Sequence, residues 1–144
     1  GDSIYNGADD NASGTAALLA LAEWYARHPA RHSLLFVALD AEEQGLRGAR
    51  AFVAAPPVPR EAMRLNVNMD MVSLNARGEL YVAGASKYPQ LRAPLERVAA
   101  RAPVTLKLGH DTPVPAAHDD WTTQSDHGAF HAAGIPFAYF GVED

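Results

Sequence analysis

The chain has 144 residues, 48% of them hydrophobic and 20% charged, with a formal net charge of -5; this is at most one ordinary globular domain, long enough to bury a core without cross-links. The acidic balance, with no cluster of Lys or Arg, argues against nucleic acid or an anionic membrane surface as partner. The absence of cysteine excludes a disulfide framework and thiolate zinc sites, and no apolar run approaches the ~20 residues of a membrane-spanning helix.

In chain order, the first feature is the stretch Gly7-Ala8-Asp9-Asp10-Asn11-Ala12-Ser13-Gly14. Asp, Asn and Ser accept hydrogen bonds from the orphan N–H groups of a first turn, so the stretch suits a helix start. It also suits a metal site, with one carboxylate held against a helix N-terminus and small neighbours leaving room around it. Leu18, Leu21, Ala22 and Tyr25 then recur at helical spacing, with Glu23 and Arg27 for the wet side, and Pro29 ends the helix. SLLFVALD, residues 33–40, is a continuous apolar run expected to form a buried strand.

Asp40-Ala41-Glu42-Glu43 leaves that run. As plain structure, Asp40 is an N-cap with Glu43 at the third helical position, a capping box in a first turn that suits acids. As chemistry, one glutamate ligates a metal and its neighbour takes a proton from water. A second helix is expected over residues 44–54, broken by the prolines of VAAPPVPR. RLNVNMDMV, residues 64–72, alternates as a strand does, with Leu65, Val67, Met69 and Met71 on one face and Asn66, Asn68 and Asp70 on the other. An acid near a strand end inside a helix-covered sheet needs a partner, either a metal or an Arg.

Strands are expected at 79–84 and 104–108, with a helix over 91–101 between them. The polar loop 109–125 carries His110 and His118, to which the sequence assigns no role. Gln124-Ser125-Asp126-His127-Gly128 sits at a loop-to-helix boundary, where Asp-His is either a cap or an oriented pair lining a pocket. A helix over 128–133 and a final strand, IPFAYFG, follow. Strands alternating with helices imply a layered α/β domain, whose ligands gather where strands end and loops begin.

Taken together and in this order, GADDNASG, LDAEEQGLRGARAF, NVNMDMV and QSDHGAFHAAGIP resemble the zinc aminopeptidases of the M28 peptidase family, across essentially all 144 residues. The resemblance implies a three-layer α/β domain, helices on both faces of a mixed sheet, of the zinc exopeptidase type. It implies hydrolysis of N-terminal peptide bonds at a site of two zinc ions, with peptides as substrates. Asp10 matches the carboxylate that bridges the two metals, with a cis peptide after it at Asp10–Asn11. Glu42 matches the general base, Glu43 and Asp70 match metal ligands, and Asp126 and His127 match a supporting pocket wall. Many relatives are exported, so the resemblance implies a secreted or periplasmic protein.

The family's two histidine ligands, from an H-x-D motif upstream of the first acidic loop and from a motif near the C-terminus, find no match here. The expectation is therefore a partial catalytic domain, residues 1–144, truncated at both ends and inactive alone. An aminoacyl cyclase or carboxypeptidase-like enzyme on the same scaffold is one alternative. A non-catalytic receptor-like ectodomain is another, although such a domain has no physical reason to keep Asp10, Glu42, Glu43 and Asp70. Substrate preference and oligomeric state leave no signature in the sequence.

Overall fold

The structure is a computed structural model that describes residues 4, 6–73, 75–112 and 119–143. His118, to which no role was assigned, lies outside the described residues. The first helix, α1, runs Gly14–Arg27 and the second, α2, Arg47–Ala54. Strand β1 is Asn66–Met69 and β2 is Glu79–Ala83. They are followed by α3 (Arg92–Ala99), β3 (Thr105–Leu108), α4 (His127–Ala132) and β4 (Phe137–Gly141). No described helix is long and apolar enough to cross a membrane.

The four strands form one mixed sheet in the order β1-β4-β2-β3. β1 and β4 are parallel, β4 and β2 antiparallel, and β2 and β3 parallel. Side chains alternate between the faces of a strand, and partners in register share a face. Val82, Ala138, Leu106, Leu108 and Phe140 therefore form one apolar surface, which packs against Leu95 and Leu91 of the α3 segment. Tyr81, Ala83, Phe137 and Tyr139 form the other, covered by Trp121 and Tyr88. On that second face α4 lies over β1 and β4, and α2 packs behind α4 through Ala49, Val53, Ala129 and Phe130. Helices thus cover both faces, in the three-layer arrangement expected.

Three expectations need correction. SLLFVALD forms no strand, and Leu34, Leu35 and Phe36 are 48%, 54% and 37% exposed. A strand exists only through a hydrogen-bonded neighbour, and none of the described strands pairs with this run. The second helix begins at Arg47 rather than Gln44, because Ala41, Gly45 and Leu46 all take left-handed backbone and confine Glu42–Gln44 to a single tight turn. No side chain caps that turn, so the Asp40–Glu43 capping box does not form.

Strand β1 shows which of its two faces turns inward. Its apolar face is the exposed one, with Leu65 and Val67 at 43% and 50%. Its polar face turns inward, where Asn68 donates to Ser125 Oγ at 3.0 Å. A polar group placed inside needs such a partner, and the loop before α4 provides it.

The GADDNASG loop docks on the segment that follows β1. Asn11 Nδ2 donates to the Met69 carbonyl at 3.0 Å, while Asn11 Oδ1 accepts from Gly14 N at 2.9 Å and Met71 N at 3.3 Å. Val72 N donates to Ser13 Oγ at 3.0 Å, and Ser73 N to Asp9 Oδ1 at 3.3 Å. The Asp10–Asn11 peptide is cis, as the resemblance implied. Asn11 thus does cap the start of α1, but it also ties that start to a strand 58 residues away.

Gly14 is buried at this junction, and a Cβ there would collide with the Met69 carbonyl oxygen and the Asn11 side chain. Gly14→Ala is therefore expected to destabilise the chain by about 2–3 kcal/mol, the upper part of the range for an overpacked core site. Chemical denaturation measures it; an unchanged midpoint would mean that the loop and strand can separate without loss.

Candidate active site

A pocket of about 500 Å³ opens at the edge of the sheet where β1 and β4 end. Asp10, Glu42, Glu43 and Asp70 all line it, together with Met71, His110, Trp121, Tyr139, Val142 and Glu143. Asp10 arrives on the docked loop, the two glutamates on the tight turn after residue 41, and Asp70 directly beyond β1. Two left-handed residues sit beside these acids: Ala41 (φ 53°) before Glu42 and Met71 (φ 54°) after Asp70. Such backbone costs a non-glycine residue on the order of 1–3 kcal/mol, and the surrounding contacts must hold it.

Asp70 is half-buried. Its Oδ2 accepts from the Ser125 hydroxyl at 2.6 Å, while its Oδ1 is buried without a hydrogen-bond partner. Burial raises its pKa, the Ser125 bond counteracts this, and Asp10 and Asp9 raise it further. Glu42 is pushed up to about 7, by burial first and then by the charges of Asp70, Glu43, Asp126 and Asp10. The electrostatic message is that several carboxylates press on one another across a common space.

Asp126 and His127 stand behind the pocket and are not among its lining residues. Burial, then Asp70 and Asp40, raise Asp126 to about 6, and its Oδ1 is buried without a partner. His127 is fully buried, with its ring stacked on Tyr139 at 4.3 Å and packed on Phe137. Its Nε2 meets the Trp121 carbonyl at 2.7 Å, and burial lowers its pKa to about 4.

The wall facing the acids was not legible as a site. His110 stacks on Trp121 at 3.8 Å, and its ring nitrogens meet Asp119 at 2.5 Å and Glu143 at 3.3 Å. Asp111, almost wholly buried, accepts from Gly84 N and Ser86 N at 2.8 and 2.6 Å and so ties the loop after β3 to the loop after β2. Lys87 bridges to Asp120 at 3.2 Å and closes the same joint. Ser125 as the partner of Asp70, and Asn68 as the partner of Ser125, were also missed. An inward polar face on β1 was the only available signal.

The donor chemistry fits a divalent cation. Asp10, Glu43 and Asp70 offer hard oxygen donors, and the unpartnered Asp70 Oδ1 together with the raised Glu42 pKa marks a place short of positive charge. The set is oxygen-only. Among the described residues no three His, Cys, Asp or Glu side chains are gathered closely enough to hold a metal ion. His110 has both nitrogens engaged, and His127 faces away toward Trp121.

Comparison with known proteins extends this picture. The profile of peptidase family M28 matches residues 1–144. Aminopeptidase YwaD of Bacillus subtilis (strain 168) is 31% identical over 137 residues, covering 93% of this chain and 28% of that protein. The crystal structure of BSAP, a zinc aminopeptidase from Bacillus subtilis, superposes with a TM-score of 0.73 at 29% identity, covering 99% of this chain and 34% of the other. An aminopeptidase from Aneurinibacillus sp. strain AM-1 gives 0.67 at 27% identity, covering 97% and 32%. The chain thus spans about a third of the length of the proteins it matches.

Asp126 gives a pH test. A carboxyl whose folded pKa lies near 6, against 3.8 in the reference state, adds stability only at low pH and loses it as pH rises through 6. Asp126→Asn is therefore expected to raise the melting temperature of the metal-free chain at pH 7.5 and leave it nearly unchanged at pH 4. Equal shifts at both pH values would contradict the burial of that charge.

Proposed function

Because the chain belongs to peptidase family M28, we propose that it carries the acidic half of a metal-dependent aminopeptidase site, acting on the N-terminal bond of peptides with zinc as cofactor. The observation that carries this reading is a single pocket lined by Asp10, Glu42, Glu43 and Asp70, with one Asp70 oxygen buried and unpartnered. The relatives named above support it as an aminopeptidase and a zinc aminopeptidase.

In this reading Asp10, Glu43 and Asp70 would hold the zinc of a two-ion site. Bound zinc supplies positive charge that polarises the scissile carbonyl and the attacking water. Glu42 is the general base: it accepts a proton from the water and returns it to the leaving amine. Its pKa is raised by burial first and by the neighbouring acids after it, and the neighbours' share would fall once a cation offsets their charge. Ser125 holds one oxygen of Asp70 so that the other stays free. The His110–Trp121 wall bounds the space that the substrate's first residue enters. Export, to the periplasm or outside the cell, is part of the same proposal.

Zinc titration of the chain by calorimetry tests the ligand assignment. Zinc prefers imidazole alongside carboxylate, so the oxygen-only set should bind weakly, and Glu43→Gln and Asp70→Asn should weaken binding further. Glu42→Gln should leave affinity close to that of the parent, because the near-isosteric amide removes a base and not a ligand. The reverse order for Glu42 and Glu43 would exchange their roles.

Hydrolysis of an aminoacyl-anilide should be undetectable with the chain alone, and in the native gene product Glu42→Gln should abolish it. Tight binding of two zinc ions by the chain alone, with turnover, would show that it holds further ligands.

A further inference from the structure

His127 is fully buried and does not line the pocket, yet it stands at the head of a hydrogen-bond chain that ends on Asp70. A carbonyl oxygen only accepts, so the 2.7 Å contact with Trp121 O places a proton on His127 Nε2. Burial keeps the ring neutral near pH 7, which leaves Nδ1 bare and able only to accept. Asn68 Nδ2 faces that nitrogen at 3.5 Å. The flipped amide would set oxygen against a bare nitrogen, acceptor against acceptor, so His127 selects the amide orientation. The same Nδ2 donates its other hydrogen to Ser125 Oγ at 3.0 Å. Ser125, almost fully buried, then has its single hydroxyl proton left for Asp70 Oδ2, at 2.6 Å.

We propose that His127 is a positioning residue which, through Asn68 and Ser125, fixes the direction of the Ser125 hydroxyl and thereby aims the Asp70 carboxylate. This rests on the reading of Asp70 as a metal ligand. It makes the Trp121 backbone, part of the far wall, and a metal-holding carboxylate opposite it two ends of one directional chain. Were the Asn68 amide reversed, its oxygen would compete with Asp70 for the one Ser125 proton. Asp70 would then lose the partner that holds Oδ2 and leaves Oδ1 free.

Two substitutions of similar polarity separate this from simple packing. In His127→Asn the short amide can place an oxygen near the Nδ1 position and keep the acceptor for Asn68. In His127→Gln the longer amide can keep the donor to Trp121 but leaves Asn68 without its acceptor. Zinc titration of the chain should show His127→Gln weakened about tenfold, the scale of lost outer partners at metal sites, and His127→Asn within about threefold of the parent. Equal affinities for the two variants would overturn the proposal, because loss of the ring's packing affects both.

Asp70→Asn is the reference. If it leaves zinc binding unchanged, the ligand reading fails, and the positioning role is decided on the metal-free chain by NMR. There the Asn68 side-chain amide resonances should move in His127→Gln and stay close to the parent in His127→Asn. The same resonances moving equally in both, or in neither, would overturn it.

Discussion

The seam between residues 9–14 and residues 69–73 governs this molecule. Asn11 spends both ends of its amide there, donating to Met69 and accepting from Met71, while Ser13 and Asp9 accept from Val72 and Ser73. These bonds satisfy backbone groups where β1 has ended and no ladder remains to pair them. They also bring the start of α1 to the end of β1, so Asp10 and Asp70, far apart in sequence, line one pocket. A side chain larger than hydrogen at Gly14 would push the seam apart.

Crowding of acids is the cost of that arrangement. Glu42, Asp70 and Asp126 all hold protons more tightly than free carboxyls do, and burial is the leading cause each time. The fold keeps them together through contacts made elsewhere. Ser125 binds Asp70 from behind, left-handed backbone at Ala41 and Met71 redirects the chain beside the acids, and α2 and α4 close an apolar cluster at the back. Unfavourable electrostatics are thus concentrated on one side of a well-packed sheet, the usual sign of a site selected for chemistry rather than stability.

The opposite wall is built on a different principle. His110 is gripped by Asp119 and Glu143, stacked on Trp121 and set edge-on to Tyr81, so it is fixed from several sides. Asp111 and the Lys87–Asp120 pair lock the loops that carry it. The pocket is therefore lined both by the acids Asp10, Glu42, Glu43 and Asp70 and by an aromatic and imidazole wall that carries its own acids, Asp119 and Glu143.

Some of this was written in the sequence. Local rules place α1, β2, α3, β3 and β4 to within a few residues, because apolar periodicity and the breakers Pro29 and Gly78 act over short distances. The motifs, in order, were specific enough to carry the family and to nominate Asp10, Glu42, Glu43 and Asp70. Tertiary structure decided the rest. An apolar run such as residues 33–40 becomes a strand only if a neighbour pairs with it, and the alternation of β1 could not say which face turns inward until Ser125 met Asn68 across 57 residues. His110, Trp121 and Asp111 carry no local pattern, since their roles come from contacts between separate loops. Sequence fixes what a residue can donate, accept or bury. Which partner it finds depends on chain closure over distances that no local rule spans.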